Sequence, residues 1–182
     1  MRRSAAETKQ LIRAAARERF ARDGYEGTTI RALAQDVGID PALVMRHVGS
    51  KEALFADAVD LDLRLPDLSQ IPADEIGAVL TAHFLDRWEG EDELLMILLR
   101  SAATTPAAAD RLRAIFAEQV VRAVQQLGIE PADARHRAGL VATQMLGLGM
   151  CRYILQLPPV VEMDRGQVVD ALGSTLQRYL VP

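Results

Sequence analysis

The stretch from Thr28 to Lys51 constrains the fold more than any other part of the chain, because it contains two short helical patterns separated by a tight turn. In the first pattern, apolar residues recur at helical spacing and form one face: Ile30, Leu33, Ala34 and Val37. Gly38 follows the last of them, where a left-handed conformation is easiest for a residue without a Cβ. Thr28 is expected to cap this first helix, since its hydroxyl can accept a free first-turn N–H.

A second helical pattern follows the turn. Asp40 is expected to cap it, and Pro41 occupies its first turn, where a missing N–H costs little. Val44 and Val48 are four residues apart and can pack back on the first helix. The other side chains of this helix then point elsewhere: Ala42, Leu43, Met45, Arg46 and His47. This layout is typical of a helix-turn-helix, whose second helix enters the DNA major groove, although two ordinary helices of an all-α protein share the pattern.

Helical periodicity runs through nearly all of the 182 residues and predicts an all-α protein. The net charge of −4 is unexpected for a DNA-binding protein, but the charges are unevenly distributed. Residues 1–55 hold 10 Lys and Arg against 7 Asp and Glu, a net +3, and residues 56–182 hold 11 against 18, a net −7. The positive excess therefore coincides with the helix-turn-helix, as phosphate binding requires.

Other classes of site and location are disfavoured by the sequence. A single cysteine, Cys151, excludes a disulfide framework and fits a reducing cytosol. The N-terminus lacks the apolar core of a signal peptide, and the longest uncharged apolar run, from Ala138 to Cys151, is too short to span a bilayer. No metal-ligand spacing, nucleophile–base pair, pair of acids or glycine-rich phosphate loop is present. We therefore expect a cytoplasmic protein that is not an enzyme and uses no metal, cofactor or membrane.

The segment from residue 13 to residue 55 resembles, without an insertion, the N-terminal DNA-binding domain of the TetR family of bacterial transcriptional repressors. The matching residues are Phe20, Gly24-Tyr25, Thr28-Thr29-Ile30, Arg31-Ala32-Leu33-Ala34, Val37-Gly38-Ile39 and Ser50-Lys51-Glu52-Ala53-Leu54. The resemblance implies a three-helix DNA-binding domain over residues 1–50 and a larger helical regulatory and dimerisation domain over residues 51–182, linked by a helix over residues 51–64. It also implies a homodimer formed by the last two helices, which carry the small residues Gly139, Ala142, Gly147, Gly149 and Gly173.

The rest of the chain is predicted to consist of helices between an N-terminal arm and a few breaks. The arm covers residues 1–7, and the first helix covers about 8–23 and ends at Gly24. The later helices are predicted over residues 74–89, 91–104, 105–127, 130–156 and 164–180. The helix over 91–104 is apolar on nearly all sides and is expected to be central.

Eight residues are candidates for DNA contacts: Thr29, Arg31, Ala42, Leu43, Met45, Arg46, His47 and Lys51. Arg46 is predicted to read a guanine through O6 and N7, or else to contact a phosphate, and Ala42 and Leu43 suit a thymine methyl. Thr29 and Arg31 can contact phosphates, and the resemblance implies the same for His47 and Lys51. Capping and solvent exposure are the alternative for Thr29 and Lys51. Met45 departs from the family, which often has an aromatic residue at this position.

Nine residues are candidates for the effector pocket that the resemblance implies: His83, Phe84, Arg87, Trp88, Met96, Arg100, Phe116, Met145 and Tyr153. Apolar walls with a few polar anchors suit a small molecule, but aromatic residues and methionines at helical spacing are also typical of a core. The leading hypothesis is a repressor that a small molecule releases from a palindromic double-stranded DNA operator. An enzyme or ligand carrier with an inherited helix-turn-helix, and a nucleoid-type DNA binder without sequence preference, remain alternatives.

Overall fold

The computed structural model describes residues 4–90 and 94–181, and every regular element in these two ranges is helical. The predicted all-α class is therefore confirmed. The α-helices are α1 Ala5–Gly27, α2 Ile30–Val37, α3 Pro41–Val48, α4 Lys51–Ala58, α5 Ile76–Glu89, α6 Leu94–Ala102, α7 Pro106–Ile115, α8 Val121–Gln125, α9 Pro131–Gly149, α10 Pro158–Val161 and α11 Arg165–Leu180. A 3-10 turn at Leu68–Gln70 precedes α5, and π-helical turns at Phe116–Val120 and Met150–Ile154 follow α7 and α9.

Helix α1 begins earlier than predicted. Ser4 and Glu7 form a capping box, in which each residue's backbone N–H donates to the other's side chain, at 2.7 and 3.2 Å. The arm predicted over residues 1–7 is therefore wrong from residue 4 onward, and residues 1–3 with their two arginines lie outside the described residues. At the other end, Gly24 adopts φ 72° and ψ 177°, so the predicted stop is a break, after which one more turn continues to Gly27.

The predicted turn residues of the helix-turn-helix are confirmed, with one correction. Gly38 is left-handed (φ 71°, ψ 38°), and Asp40 accepts the backbone N–H of Ala42 at 2.8 Å as the cap of α3. The cap of α2 is Thr29, which accepts the N–H of Ala32 at 3.1 Å, and not Thr28. Thr28 is fully buried because its hydroxyl donates to the Gly24 carbonyl at 2.8 Å.

The link helix predicted over residues 51–64 is shorter and ends at Ala58. In a longer helix the Ala58 carbonyl would accept the N–H four residues later, but here it accepts the Arg17 guanidinium at 2.6 Å. The next residues are also tied to neighbouring helices, since Asp60 pairs with Arg13 at 3.8 Å and with Arg111. Tertiary contacts from α1 and α7 thus end α4.

The structure divides into two compact units. The first contains the described residues up to Leu61 together with residues 94–112. Its buried core includes Phe20, Leu33, Val44, Phe55 and Leu98. Helix α6 was predicted as part of the regulatory domain, but it packs on α1 and belongs to this unit. The first three residues of the helix predicted over 91–104, Glu91 to Glu93, lie outside the described residues.

The second unit contains the described residues 62–90 and 113–181. Its core joins residues of α5, α8, α9 and α11 with Leu68, and includes Leu80, Val124, Ala138 and Leu176. Helices α5 and α11 approach closely where Gly77 faces Gly173. Gly173, predicted among the small residues of the dimer helices, therefore serves packing within the chain. No described helix is both long and apolar enough to span a membrane.

Candidate nucleic-acid interface

Two valines of helix α3 pack toward the protein interior, and this defines the opposite side of the helix as its outer face. Val44 is fully buried and Val48 is partly buried. With about 3.6 residues per turn, Arg46 projects opposite these valines, and Ala42 and Leu43 lie on either side of it. Arg46 and Ala42 are exposed, and Leu43 is partly buried. Among the described residues, the predicted base-reading side chains thus lie on the more exposed face of α3.

Met45 and His47 flank this outer face. Met45 is 39% exposed, which is high for a large apolar side chain on a short helix, and His47 is partly buried. A thioether cannot donate a hydrogen bond to a phosphate, so Met45 can contribute apolar contact alone. His47 carries ring nitrogens that can donate.

The N-terminus of α2 is open to an anion. Thr29 and Arg31 are exposed there, and the free first-turn N–H groups of α2 give the helix end a partial positive charge. The Thr29 oxygen accepts the Ala32 N–H, which leaves the hydroxyl hydrogen free to donate. Capping and phosphate binding are therefore compatible roles for Thr29.

Lys51 is positioned by Tyr25 at the start of α4. Its ammonium lies 4.2 Å from the centre of the Tyr25 ring, a cation–π contact. The Tyr25 hydroxyl donates to Glu52 at 3.0 Å, and burial together with this carboxylate raises the pKa of Tyr25 to about 12. Tyr25 also packs edge-on against Phe55, with ring centres 5.1 Å apart. The lysine therefore rests on a tyrosine that α1 and α4 hold from both sides.

An ion-pair cluster joins α1 to α2. Arg19 of α1 donates through two nitrogens to Asp36 of α2, one of them at 2.9 Å, and donates to Asp23 at 3.2 Å. The Arg19 hydrogen bond lowers the pKa of Asp36, and the Arg22 hydrogen bond lowers the pKa of Asp23. A two-point guanidinium–carboxylate contact fixes orientation as well as distance. Sequence reasoning missed this positioning role, because no local pattern pairs residues 17 positions apart.

The second unit groups three of the predicted effector residues. The rings of Trp88 and Tyr153 stack with centres 4.8 Å apart and planes 6° from parallel, and Phe84 lies 5.8 Å from Trp88. The indole N–H of Trp88 is buried and has no hydrogen-bond partner among the described residues. The Tyr153 hydroxyl donates to Glu89 at 3.3 Å, and burial, with Glu89 nearby, raises the pKa of Tyr153 to about 12. These residues make an aromatic cluster with two parallel rings, one tilted ring and one unused donor.

Comparison with known proteins connects this geometry to a family. The sequence profile of bacterial regulatory proteins of the tetR family matches residues 12–58. The profile of the tetracyclin repressor-like C-terminal domain matches residues 74–180, more than half of the chain. The chain belongs to the TetR family. It is therefore a DNA-binding transcriptional regulator, and helices α2, α3 and α4 lie within the segment that the tetR-family profile matches.

Individual TetR-family relatives agree with this assignment. A 90-residue stretch is 36% identical to the HTH-type transcriptional repressor AcnR of Corynebacterium jeikeium and covers 47% of each protein, so the chain spans about half the length of that relative. A TetR-family regulator from Streptomyces coelicolor A3 is 29% identical, with a TM-score of 0.65 over 100% of this chain and 99% of that one. NalD, the secondary repressor of the MexAB-OprM multidrug efflux pump in Pseudomonas aeruginosa, has a TM-score of 0.70 at 21% identity over 98% of both chains, which shows the shared fold.

The remaining effector candidates of this TetR-family chain are dispersed. His83 Nε2 lies 2.9 Å from the Leu63 carbonyl, and Arg87 donates to the Asp62 carbonyl at 3.0 Å, so both hold the segment after α4. Phe116 and Met145 pack against the core of the second unit. Met96 and Arg100 lie on α6 in the first unit, where no sequence signal placed them. Among the described residues, no group of three or more His, Cys, Asp and Glu side chains is arranged to hold a metal ion.

Proposed function

We propose that this TetR-family regulator is a repressor that binds a palindromic operator as a homodimer in the cytoplasm. The observation that carries the proposal is the exposed Arg46 opposite the buried Val44, on a helix capped at both ends. A symmetric dimer presents two such helices to DNA, so half-sites one helical turn apart match its two-fold axis. Helices α9 and α11 are the proposed dimer helices, since α9 carries an exposed Gly147. Apart from Gly147, its chain neighbours and the adjacent backbone of α9, no described atom lies within 4 Å of the place where a Cβ would lie.

Within this proposal the side chains divide into two groups. Arg46, with Ala42 and Leu43, reads base edges in the major groove. Thr29, Arg31, His47 and Lys51 bind phosphates and set the register of the helix, which gives affinity without sequence choice. Met45 adds apolar contact beside them.

A small-molecule effector is proposed to bind in the second unit at the aromatic cluster of Phe84, Trp88 and Tyr153. A buried N–H without a partner costs free energy, and a ligand acceptor placed against the Trp88 indole would recover it. The stacked rings favour a flat, apolar ligand body. The effector class is therefore a planar apolar molecule with a hydrogen-bond acceptor at its edge, which releases DNA if it binds the DNA-free conformation more tightly.

DNA binding is tested by footprinting on the DNA upstream of the protein's own coding sequence, followed by titrations of that site and of scrambled DNA at matched salt. Arg46→Ala is expected to lose discrimination at one base position per half-site, worth about 1–3 kcal/mol. Lys51→Ala is the matched control: it should weaken both DNAs alike and reduce the salt slope by about one. Equal wild-type affinity for the two DNAs would instead indicate a nucleoid-type binder. Unchanged specificity in Arg46→Ala would contradict the base-reading role.

The effector proposal is tested separately through tryptophan fluorescence, because Trp88 is the chain's single tryptophan. A planar apolar ligand with an acceptor should change this emission and lower operator affinity in the same concentration range. Tyr153→Leu removes the stacking partner and should weaken both effects together. DNA release without any change in Trp88 emission would place the effector elsewhere.

A further inference from the structure

A groove within the first unit lies between the C-terminal half of α1 and helix α6. Its volume is about 700 Å³, which lies within the range of about 300–1,000 Å³ usual for small-molecule sites. The apolar part of its wall comes from Phe20, Ala21 and Gly24 on α1 and from Met96 and Ile97 on α6. All of its lining residues belong to the first unit. The aromatic cluster of Phe84, Trp88 and Tyr153 belongs to the second unit and does not line this groove.

The charges around this groove are partly neutralised. Arg22 donates to Asp23 at 2.9 and 3.0 Å, so these two rim residues satisfy each other. Two rim charges on opposite helices are left, Glu18 on α1 and Arg100 on α6. Both are exposed, and neither forms a hydrogen bond or an ion pair with another described residue. The groove therefore offers a guanidinium on one helix and a carboxylate on the other.

We propose that this groove binds a small organic acid with an apolar body. The body packs against Ala21 and Met96, which are partly buried and line the groove above the buried Phe20 and Ile97. The carboxylate of the ligand pairs with Arg100, whose fork of N–H donors matches a carboxylate. Glu18 repels an anion from the α1 side, so the acid group is directed to α6.

A ligand bound in the groove would affect helix α2 through a short series of contacts that begins at two residues of the groove wall, Gly24 and Asp23. Gly24 lines the groove, and its carbonyl accepts the hydroxyl of buried Thr28. Thr28 precedes Thr29, which caps α2 and stands at the proposed phosphate contact. Asp23, also in the groove wall, shares Arg19 with Asp36 of α2. A ligand that shifts the break in α1 therefore shifts the start of α2.

The test follows the ε-methyl groups of the six methionines by NMR in the full-length protein during titration with octanoate. The Met96 signal, identified by its loss in Met96→Leu, should shift and saturate, while Met145 in the second unit reports on any other site. Octan-1-ol carries the same apolar body without the charge. Arg100→Gln should weaken octanoate about tenfold, the effect of one lost charge-assisted hydrogen bond, and leave octanol unchanged.

Two further variants make the result specific. Arg122→Gln removes an exposed arginine of α8 and should leave both titrations unchanged. Ala21→Leu partly fills the groove and should weaken octanoate and octanol alike. A shift of Met145 without Met96, or equal octanoate affinity in Arg100→Gln and the wild type, would overturn the proposal. The readout contains no DNA, so this failure is distinct from a failure of the repressor proposal.

Discussion

Gly77 lies where the backbones of α5 and α11 approach each other, and substitution by alanine tests how much the second unit depends on this contact. A Cβ added at Gly77 would lie 2.2 Å from the carbonyl oxygen of Gly173 and 2.7 Å from the backbone nitrogen of Gln177. Both atoms belong to the backbone of α11, so no side-chain rotation relieves the overlap. The two helices must separate.

The expected cost follows from opposing effects. Overpacking of this kind costs about 1–3 kcal/mol. Separation also stretches the hydrogen bond that the Gly77 N–H donates to the Gln177 side chain, 2.8 Å long and worth about 1 kcal/mol. Against these costs, alanine has a higher helix propensity than glycine, which stabilises the variant by up to about 1 kcal/mol in a helix interior and by less in the first turn of α5. The net expectation is a loss of about 2–3 kcal/mol in the free energy of unfolding, or about 5–10 °C in Tm for a chain of this size.

Urea unfolding of the full chain at one fixed protein concentration measures this loss. Gly173→Ala is the matched comparison, because its Cβ would meet Ala78 at 3.0 and 3.2 Å, a milder overlap across the same helix pair. Because Gly173 lies in the middle of α11, alanine gains more from its helix propensity there. Gly173→Ala should therefore lower the free energy of unfolding by about 1 kcal/mol or less. If Gly77→Ala were as stable as the wild type, or no less stable than Gly173→Ala, the steric reasoning would be refuted.

Three further changes have defined outcomes. The contribution of the raised Tyr25 pKa to stability is fully present below pH 10 and is lost as pH rises toward 12, so Tyr25→Phe should flatten the fall of the urea midpoint over that window. Thr29→Ala removes the α2 cap and should cost about 1 kcal/mol in thermal unfolding, whereas Thr29→Ser should restore it. Arg137 donates to Asp133 at 2.7 Å and to the Tyr179 carbonyl at 3.1 Å, so Arg137→Gln should cost about 1–2 kcal/mol in urea unfolding, and an unchanged midpoint would show that water replaces these bonds.

Features governed by a residue and its immediate neighbours were predicted from sequence. Gly38 and Asp40 act within a few residues of their own positions, through a left-handed backbone and a hydrogen bond to a nearby N–H respectively. The outer face of α3 was predicted for the same reason, since helical spacing alone separates Arg46 from Val44. Local chemistry of this kind does not depend on the rest of the fold.

Features governed by distant partners were missed. The end of α4 depends on Arg17, 41 positions away, which takes the carbonyl that would continue the helix. The partner of α6 was also unpredictable, because a helix that is apolar on nearly all sides does not indicate which neighbour it will contact. Met96 and Arg100 therefore were grouped with the effector residues but lie beside α1. The choice between Thr28 and Thr29 as the cap depended on the Gly24 break, which turns Thr28 inward.

The last three turns of α1 combine several of these distant contacts in one segment. Arg19 holds α2 through Asp36, Phe20 packs against Phe55 of α4 with ring centres 4.9 Å apart, and Gly24 lines the groove beside α6. Helix α3, the proposed recognition helix, is itself held by contacts with α1, α2 and α4. A displacement of this segment is therefore expected to reach the outer face of α3 through these packed helices, whether it comes from a ligand in the groove or from a change in α6. Because Gly24 breaks α1 with a φ of 72° three residues before the helix ends, the segment can adjust there without breaking the hydrogen bonds of the preceding turns.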